Sequence, residues 1–279
     1  LDSTSALTKA WEKEINHWDT ADVYGDGVSE LIIGKMWSIV PRDNIFLATK
    51  VGWDKGNYSH WYHPKQMIKN MERSLKNLDT DYVDLIYLHH CNFGKNEEYF
   101  DSALEILENF KKEGKTRFIG LSDWNSQKIM KFVNRCNPDV IQPLRNLMDD
   151  SYEQSGLKAH VEEHNLGVCF FSPLKHGLLT GKYQEVPKFE EGDHRSQIAE
   201  FKNVKLLKKM RENKSKLERH FPDIEYPVLH GLINSLLFDS KTGCVLLGQR
   251  NQNQVNIAAS VSNSISNEDV KWVKSLYKK

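Results

Sequence analysis

The chain has 279 residues, of which 39% are hydrophobic and 27% charged, with 38 basic and 38 acidic side chains. This composition is that of a folded globular protein, and zero formal charge argues against a dedicated binder of nucleic acid or acidic membranes. No apolar run spans a bilayer, no signal-peptide pattern is visible, and the four cysteines have no paired spacing. We therefore expect a cytoplasmic protein with reduced thiols and with neither membrane nor nucleic acid as a partner.

Short apolar segments alternate with longer amphipathic ones along the chain. The short segments have 5–8 residues, are mostly rich in β-branched or aromatic side chains and are bounded by turn formers, as buried strands are. Counting a less apolar first candidate, the predicted strands are 15–20, 45–51, 82–89, 117–122, 140–144, 167–172 and 244–248. Apolar residues at helical spacing, together with a helix before the first strand, predict helices over 5–14, 64–78, 103–110 and 201–220.

This alternation predicts the fold class. Strands that alternate with helices form a parallel sheet, and the chain lacks the glycine-rich phosphate turn of an open doubly wound sheet. An α/β fold of the (β/α)8 TIM barrel type therefore fits best, but it needs eight strands and seven are visible. We expect the first strand to lie upstream of Leu1. We further expect one barrel domain over 1–279, in which the irregular segment 175–196 is a lid or binding loop.

Polar residues at the ends of three successive predicted strands can converge at the mouth of a barrel. They are Asp19 with Tyr24 just beyond it, Lys50, and His89 with His90. A tyrosine hydroxyl is a poor acid, but a nearby ammonium lowers its pKa, so we predict Tyr24 as the acid and Lys50 as its activator. Asp19 would hold Lys50 by ion pairing, and His89 would orient a carbonyl group.

Six segments resemble motifs of the aldo-keto reductase family, in the order and spacing of that family. They are DTADVYGDGVSELIIGK (19–35), FLATKVG (46–52), TDYVDLIYLHH (80–90), FIGLSDW (118–124), VIQPLRN (140–146) and FSPLKHGLLTGKY (171–183). The last segment and the pattern over 248–254 look closest to the bacterial and potassium-channel β-subunit-like branches. The resemblance implies an oxidoreductase that reduces the carbonyl of a small aldehyde or ketone to an alcohol, with NADP(H), or alternatively NAD(H), as cofactor.

The same resemblance implies roles for individual residues and no metal site. The catalytic tetrad would be Asp19, Tyr24, Lys50 and His89, where His89 is preferred to His90 because it follows Asp84 by five residues. Contacts to the nicotinamide would come from Ser122, Asp123, Gln142 and Phe171. Contacts to the pyrophosphate would come from Ser172, Pro173, Leu174, Lys182 and Arg195. Contacts to the 2′-phosphate and the adenine would come from Gly248, Arg250 and Gln254.

Several positions depart from the family's pattern. Asp123 stands where Asn is usual, which removes an amide donor and adds charge near the nicotinamide. Phe171 replaces a usual Tyr or Trp and keeps an aromatic stacking surface. Ile257 and Ala258 stand where a Glu–Asn pair often grips the adenine, which weakens the case for typical adenine recognition.

Two other functions stay open on the sequence. The channel β-subunits suggest a redox-sensing or partner-regulating subunit that binds the cofactor and turns over little. A metal-dependent barrel hydrolase would use His17 and Asp19 as ligands, Lys50 as a carbamylated bridge and His89 as a further ligand. No further strand-end residue completes a two-metal site. The pattern makes no prediction about oligomeric state, and the aromatic residues that could line a substrate pocket are Trp53, Tyr58, Trp61, Trp124 and Tyr152.

Overall fold

A computed structural model describes residues 3–240, 242–261 and 265–278, which group into two compact units. The first unit runs to Pro143 and also contains Ser151–Cys169 and Gly248–Ala259. The second contains Leu144–Asp150, Phe170–Leu247 and the chain from Ser260 onward. The single barrel domain expected over 1–279 stays a prediction.

The seven predicted strands are all present in the described residues. They are β1 (His17–Asp19), β2 (Phe46–Val51), β3 (Val83–Leu88), β4 (Thr116–Asp123), β5 (Val140–Pro143), β6 (Gly167–Phe170) and β7 (Gly243–Val245). β1 to β6 pair in parallel and in chain order. In the second unit, the Leu246 amide just after β7 donates to the Phe170 carbonyl at the end of β6, at 2.9 Å. This is the predicted α/β barrel class, with seven of its eight strands.

Helices follow the strands. The first unit has α1 (Ser3–Glu12), α2 (Val28–Gly34), α3 (Pro64–Leu78), α4 (Phe100–Lys112), α5 (Ser126–Cys136), α6 (Ser151–Gln154), α7 (Leu157–His164) and α10 (Gln252–Ala259). The second unit has α8 (Val204–His220), α9 (Pro227–Leu237) and α11 (Asn267–Tyr277). Within the described ranges, none of these helices has the length and apolar character needed to cross a membrane.

Two predicted helix boundaries are corrected by local chemistry. The helix predicted over 5–14 ends at Glu12, because Glu14 adopts a left-handed backbone conformation with φ of 60°. The helix predicted over 201–220 begins only at Val204, because the Asn203 side chain accepts the amide of Leu206 and caps the helix there. Residues before the cap form a separate 3-10 turn, Ala199–Lys202.

One large aromatic ring packs within the sheet of the first unit. Tyr87 on β3 packs with Ala48 and Leu85, and it lies opposite Gly120 on β4. A Cβ atom on Gly120 would lie 2.3 Å from a ring carbon of Tyr87, so the missing side chain makes room for the ring. This packing supports the strands just below the ends that carry the predicted catalytic residues.

In the second unit, the first part of the predicted lid segment 175–196 packs against α8, whereas residues 184–196 are exposed or half-buried. It contains two short 3-10 helices, Lys175–Thr180 and His194–Gln197. Gly181 has φ of +67°, and a Cβ there would lie 2.4 Å from the Met210 carbonyl oxygen, so the segment runs against α8 without clearance. Its role as a lid stays a prediction.

Candidate active site

Lys50 is buried near the C-terminal end of β2, with 1% of its surface exposed. Its Nζ donates to the Thr20 carbonyl at 2.7 Å and pairs with the Asp19 carboxylate. A buried ammonium needs such partners, which explains a lysine in an apolar strand. Burial lowers the pKa of Lys50, but the charges of Asp19 and Tyr24 and hydrogen bonds to both raise it by more. Lys50 therefore stays an ammonium in the fold.

Asp19 is held by both of its carboxylate oxygens. One pairs with Lys50, and the other accepts the side-chain amide of Gln142 at 2.9 Å. Gln142 lies on β5, so this bond reaches across the first unit from β5 to β1. The Ser122 hydroxyl in turn donates to the main-chain carbonyl of Gln142 at 3.0 Å. Sequence reasoning placed Gln142 at the cofactor but missed this bond to Asp19, since the residues are 123 positions apart.

Tyr24 lies in the loop between β1 and α2 and is 43% exposed. The Lys50 ammonium lies 5.2 Å from the centroid of the Tyr24 ring, and the His89 ring lies edge-on at 5.8 Å. Directly after Tyr24 the chain turns through left-handed conformations, which end at Gly27 with φ of +88°. The structure thus brings the four predicted tetrad residues together, with Tyr24 as the most accessible of them.

His89 follows the end of β3, where its amide donates to the Val51 carbonyl at 2.9 Å. Burial, the Lys50 charge and neighbouring His90 lower the pKa of His89 to about 2, so the imidazole is neutral near pH 7. Its Nδ1 is buried and has no hydrogen-bond partner among the described residues. A neutral ring with one N–H group can orient a carbonyl oxygen without competing as an acid.

His90 is engaged elsewhere. Its Nδ1 accepts the Asn92 amide at 3.1 Å, so its proton lies on Nε2, which donates to the Gly52 carbonyl at 2.6 Å. Burial is the main cause that lowers the pKa of His90 to about 4. The two ring nitrogens therefore serve the loops after β3 and β2, and His89 is the histidine that faces Tyr24.

Three tryptophans form an aromatic wall beside the tetrad. The Trp53 ring lies edge-on to His89 at 6.1 Å and contacts Trp124 at 5.5 Å and Trp61 at 5.6 Å. Trp53 and Trp124 are 39% and 51% exposed, so they present large apolar faces to solvent. Such a cluster next to convergent polar groups is typical of a ligand pocket.

The other two aromatic candidates have different surroundings. Tyr58 stacks on His63 with ring centroids 4.2 Å apart, and Tyr152 on α6 is fully buried. The contacts of these two side chains are therefore with the protein interior or with a neighbouring loop residue. Trp53, Trp61 and Trp124 remain as the aromatic residues of the wall.

Asp123 is buried at the end of β4, with both carboxylate oxygens engaged. They accept the amides of Cys91 at 2.7 Å and Asn125 at 2.8 Å. The negative charge that the resemblance predicts near the nicotinamide therefore accepts hydrogen bonds from two main-chain amides, which tie Asp123 to the loops after β3 and β4.

The three candidates for the adenine side lie around the start of α10. The Arg250 amide donates to Gln254 Oε1 at 2.7 Å, and the Gln254 amide donates to the Asn251 side chain at 3.0 Å. Gly248 has open space around its Cα. The guanidinium of Arg250 is exposed and has no ion pair within the described residues, so it can receive an anion.

The second unit holds the other cofactor candidates. Phe171 is half-buried, and its carbonyl accepts the Arg145 amide at 3.0 Å. Arg195 donates from Nε to both oxygens of Asp193 and lies over the Phe189 ring at 4.6 Å, so a diphosphate would compete with Asp193 for it. The remaining candidates are Ser172 and Leu174, which are half-buried, Pro173, which is buried, and Lys182, which is exposed.

The family model described as "Aldo/keto reductase family" matches residues 2–278. The chain belongs to the aldo/keto reductase family. The resemblance seen in the six motifs is thereby confirmed. The solved relatives account for the barrel architecture.

Individual members of the family give the extent of the similarity. An NADP(+) aldo-keto reductase of Schizosaccharomyces pombe is 30% identical over 219 residues, 74% of this chain and 64% of that protein. A glycerol dehydrogenase from Gluconobacter oxydans superposes with a TM-score of 0.83 at 27% identity, over 98% of this chain and 84% of that one. The holo form of a Bacillus halodurans aldo-keto reductase superposes with a TM-score of 0.75 at 25% identity, over 98% of this chain and 86% of that one. The chain spans about three fifths of the curated relatives it matches.

The residues present fit a nicotinamide cofactor, the group that this family binds. Gln142 has a second amide atom, Oε1, with no hydrogen bond within the described residues, and it can accept from a carboxamide N–H group. Arg250 offers a guanidinium without an ion pair to a phosphate.

Proposed function

We propose that this aldo/keto reductase reduces the carbonyl group of a small aldehyde or ketone to an alcohol, with NADP(H) as its cofactor. One observation carries the proposal. The buried, ion-paired ammonium of Lys50 lies 5.2 Å from the ring centroid of Tyr24, beside the neutral imidazole of His89. This arrangement is suited to giving a proton to a carbonyl oxygen.

Proton donation would start from the Tyr24 hydroxyl. As the proton leaves, negative charge develops on the phenolic oxygen, and the fixed positive charge of Lys50 stabilises it. Asp19 keeps that ammonium in place, since its two oxygens are tied to Lys50 and Gln142. The bound cofactor supplies the hydride that the carbonyl carbon receives.

His89 would orient the substrate. Because Nδ1 has no acceptor within the described residues, the single proton of the neutral ring is best placed on Nε2, which can donate to the carbonyl oxygen. The wall formed by Trp53, Trp61 and Trp124 would pack against the rest of the substrate and exclude water from the reacting oxygen.

The cofactor contacts are also proposed. Ser122, Asp123, Gln142 and Phe171 would surround the nicotinamide, where Asp123 acts by shaping the loop rather than by donating a hydrogen bond. The pyrophosphate would be bound by Ser172, Pro173, Leu174, Lys182 and Arg195. The 2′-phosphate and the adenine would be bound by Gly248, Arg250 and Gln254.

The contacts of Lys50 disfavour the metal-hydrolase alternative. A carbamylated Lys50 would be an anion, whereas its observed partners, the Asp19 carboxylate and the Thr20 carbonyl, require a cation. The sensor alternative predicts a single slow turnover instead of a steady rate.

The proposal is tested by multi-turnover oxidation of NADPH with a panel of aldehydes and ketones. We expect steady turnover for the unaltered chain and a loss of about 10²–10⁴-fold in Tyr24→Phe, the usual contribution of general acid catalysis. NADPH affinity, measured by fluorescence quenching, should stay nearly the same in the variant. Unchanged turnover in Tyr24→Phe would contradict the assignment, and one turnover per cofactor would favour the sensor.

A further inference from the structure

Arg73 on α3 contacts carboxylates from two different loops. Its Nη1 lies 2.7 Å from Asp54 Oδ2, and its Nη2 lies 3.7 Å from Asp22 Oδ2. Asp22 lies two residues before Tyr24, and Asp54 directly follows Trp53. We propose that Arg73 is a positioning residue that holds the loop of Tyr24 and the loop of Trp53 in a fixed relation. The inference deepens the proposed reductase function and rests on it.

On the first loop, Asp22 depends on Arg73 for compensation of its charge. Its side chain is buried, and neither carboxylate oxygen has a full hydrogen bond. The charged groups that face it are Glu30 on α2 and Asp54, both acidic, and Arg73. Because a buried carboxylate needs an opposite charge, removing Arg73 would favour the protonated, neutral form of Asp22. The loop between Asp19 and Tyr24 would then lose its electrostatic attraction to α3.

The charge of Asp22 is also sensitive to pH. Burial, followed by the charge of Glu30, raises the pKa of Asp22 to about 7, while Arg73 lowers it. The attraction between Asp22 and Arg73 therefore weakens as the pH falls below neutrality. His89 and Lys50 do not change charge in that range, because their pKa values lie below and above it.

On the second loop, Asp54 accepts three hydrogen bonds. Its side chain accepts the Gly56 amide at 2.8 Å as well as the Arg73 guanidinium, and its carbonyl accepts the Asn70 side chain at 3.0 Å. Two of these bonds come from α3. They determine where the chain leaves Trp53, the tryptophan that contacts both His89 and the rest of the aromatic wall.

Arginine is the residue type that can serve both loops at once. Its planar group presents separate nitrogens to Asp22 and Asp54, whereas a lysine has one nitrogen. The Arg73 side chain is 39% exposed, so solvent screens its ion pairs, and we expect a small contribution to overall stability. Its expected effect is on the relative position of two loops.

Steady-state kinetics of single variants test this bridge, by which we mean the contacts of Arg73 with Asp22 and Asp54. The assay uses NADPH and one aldehyde that the unaltered chain reduces. Asp22→Asn should lower kcat about tenfold with little change in KM, because a misplaced acid impairs the transition state. Asp54→Asn should raise KM for the aldehyde with little change in kcat. Arg73→Gln should both lower kcat and raise KM for the aldehyde, and Arg73→Lys should show a smaller change in each. A merely structural Arg73 would show no such split.

Hydrogen–deuterium exchange supplies a readout that needs no turnover. In Arg73→Gln, exchange should rise in the segments 20–28 and 52–58. Arg135→Gln is the matched control, because Arg135 on α5 also bridges two carboxylates, Glu97 at 2.8 Å and Asp101 at 3.0 Å, with 47% exposure. That variant should leave both segments and the kinetics unchanged.

The outcomes distinguish a failure of the positioning role of Arg73 from a failure of the reductase function. Wild-type kinetics and unchanged exchange in Arg73→Gln would overturn the positioning role, and so would faster exchange in one segment alone. If Arg73→Gln does not fold, Asp22→Asn and Asp54→Asn each decide their own half of the bridge. A wild-type chain without carbonyl turnover would overturn the reductase function, and the exchange result would still decide the bridge.

Discussion

The side-chain amide of Gln142 donates to Asp19 Oδ2 at 2.9 Å, across the first unit from β5 to β1. The other oxygen of Asp19 pairs with Lys50, so a single carboxylate connects an amide on β5 with an ammonium on β2. A carboxylate held at both oxygens cannot rotate, and Lys50 is thereby kept beside Tyr24. The geometry of the proposed tetrad thus depends on a strand that lies far along the chain from the tetrad residues.

The buried pair gives a prediction about stability. Asp19→Asn should lower the free energy of unfolding by about 3–5 kcal/mol, because it leaves the ammonium of Lys50 buried without its counter-charge. Lys50→Met should lower it by less, since Asp19 keeps Gln142 and is 12% exposed at its side chain. Urea unfolding at pH 7 measures both. The double variant should be more stable than Asp19→Asn, and the opposite order would refute the argument.

Substitutions of His89 and His90 are predicted to affect different properties, kcat in the first case and thermal stability in the second. His89→Gln should keep the fold and lower kcat by about 10-fold or more, because the proposed donor to the carbonyl oxygen is displaced. His90→Ala should lower the melting temperature, because the Gly52 carbonyl and the Asn92 amide lose their partners. Kinetics and thermal unfolding of both variants check this. A stable His90→Ala with a selective loss of kcat would move the role to His90.

Much of this site could be predicted from the sequence because the ends of parallel strands meet at one edge. A lysine closing an apolar strand and an aspartate and a tyrosine five residues apart are local signals, and the topology brings them together. The partners of Asp123 and the bond between Gln142 and Asp19 gave no such signal. They depend on strand register and on the reach of side chains across the fold, which no spacing along the chain encodes.

The bridge through Arg73 was likewise hidden. Asp22 looks like any loop aspartate, and Arg73 like an ordinary polar position of an amphipathic helix. Only the packing of α3 beside two loops shows that one arginine serves both. The segment 175–196 was predicted to be a loop because it lacks periodicity, but its packing against α8 depends on Gly181, which the pattern did not single out.

Asp22 gives a prediction about pH. Its pKa is raised from 3.8 to about 7 in the fold, so the folded state binds more protons than the unfolded state between these values. Stability contributed by protonated Asp22 is complete below about pH 4 and is lost as the pH rises to about 7. Asp22→Asn should therefore gain stability relative to the unaltered chain over this range, about 4 kcal/mol in total.

Urea unfolding at several pH values between 4 and 8 measures this difference. Asp26→Asn is the matched control, because Asp26 lies in the same loop and is exposed. It should show no comparable trend. A constant difference between Asp22→Asn and the unaltered chain across the range would mean that Asp22 is ionised throughout.

The last prediction concerns the choice between NADP(H) and NAD(H). The exposed guanidinium of Arg250 has no ion pair within the described residues, and it can form two charge-assisted hydrogen bonds with a 2′-phosphate. Arg250→Ala should therefore weaken NADPH binding by about 1.5–3 kcal/mol, the scale of hydrogen bonds to charged groups, and leave NADH binding almost unchanged. Fluorescence titration with both cofactors measures the effect, with Arg219→Ala on α8 as an exposed-arginine control. Equal losses for both cofactors would place Arg250 at the diphosphate instead of the 2′-phosphate.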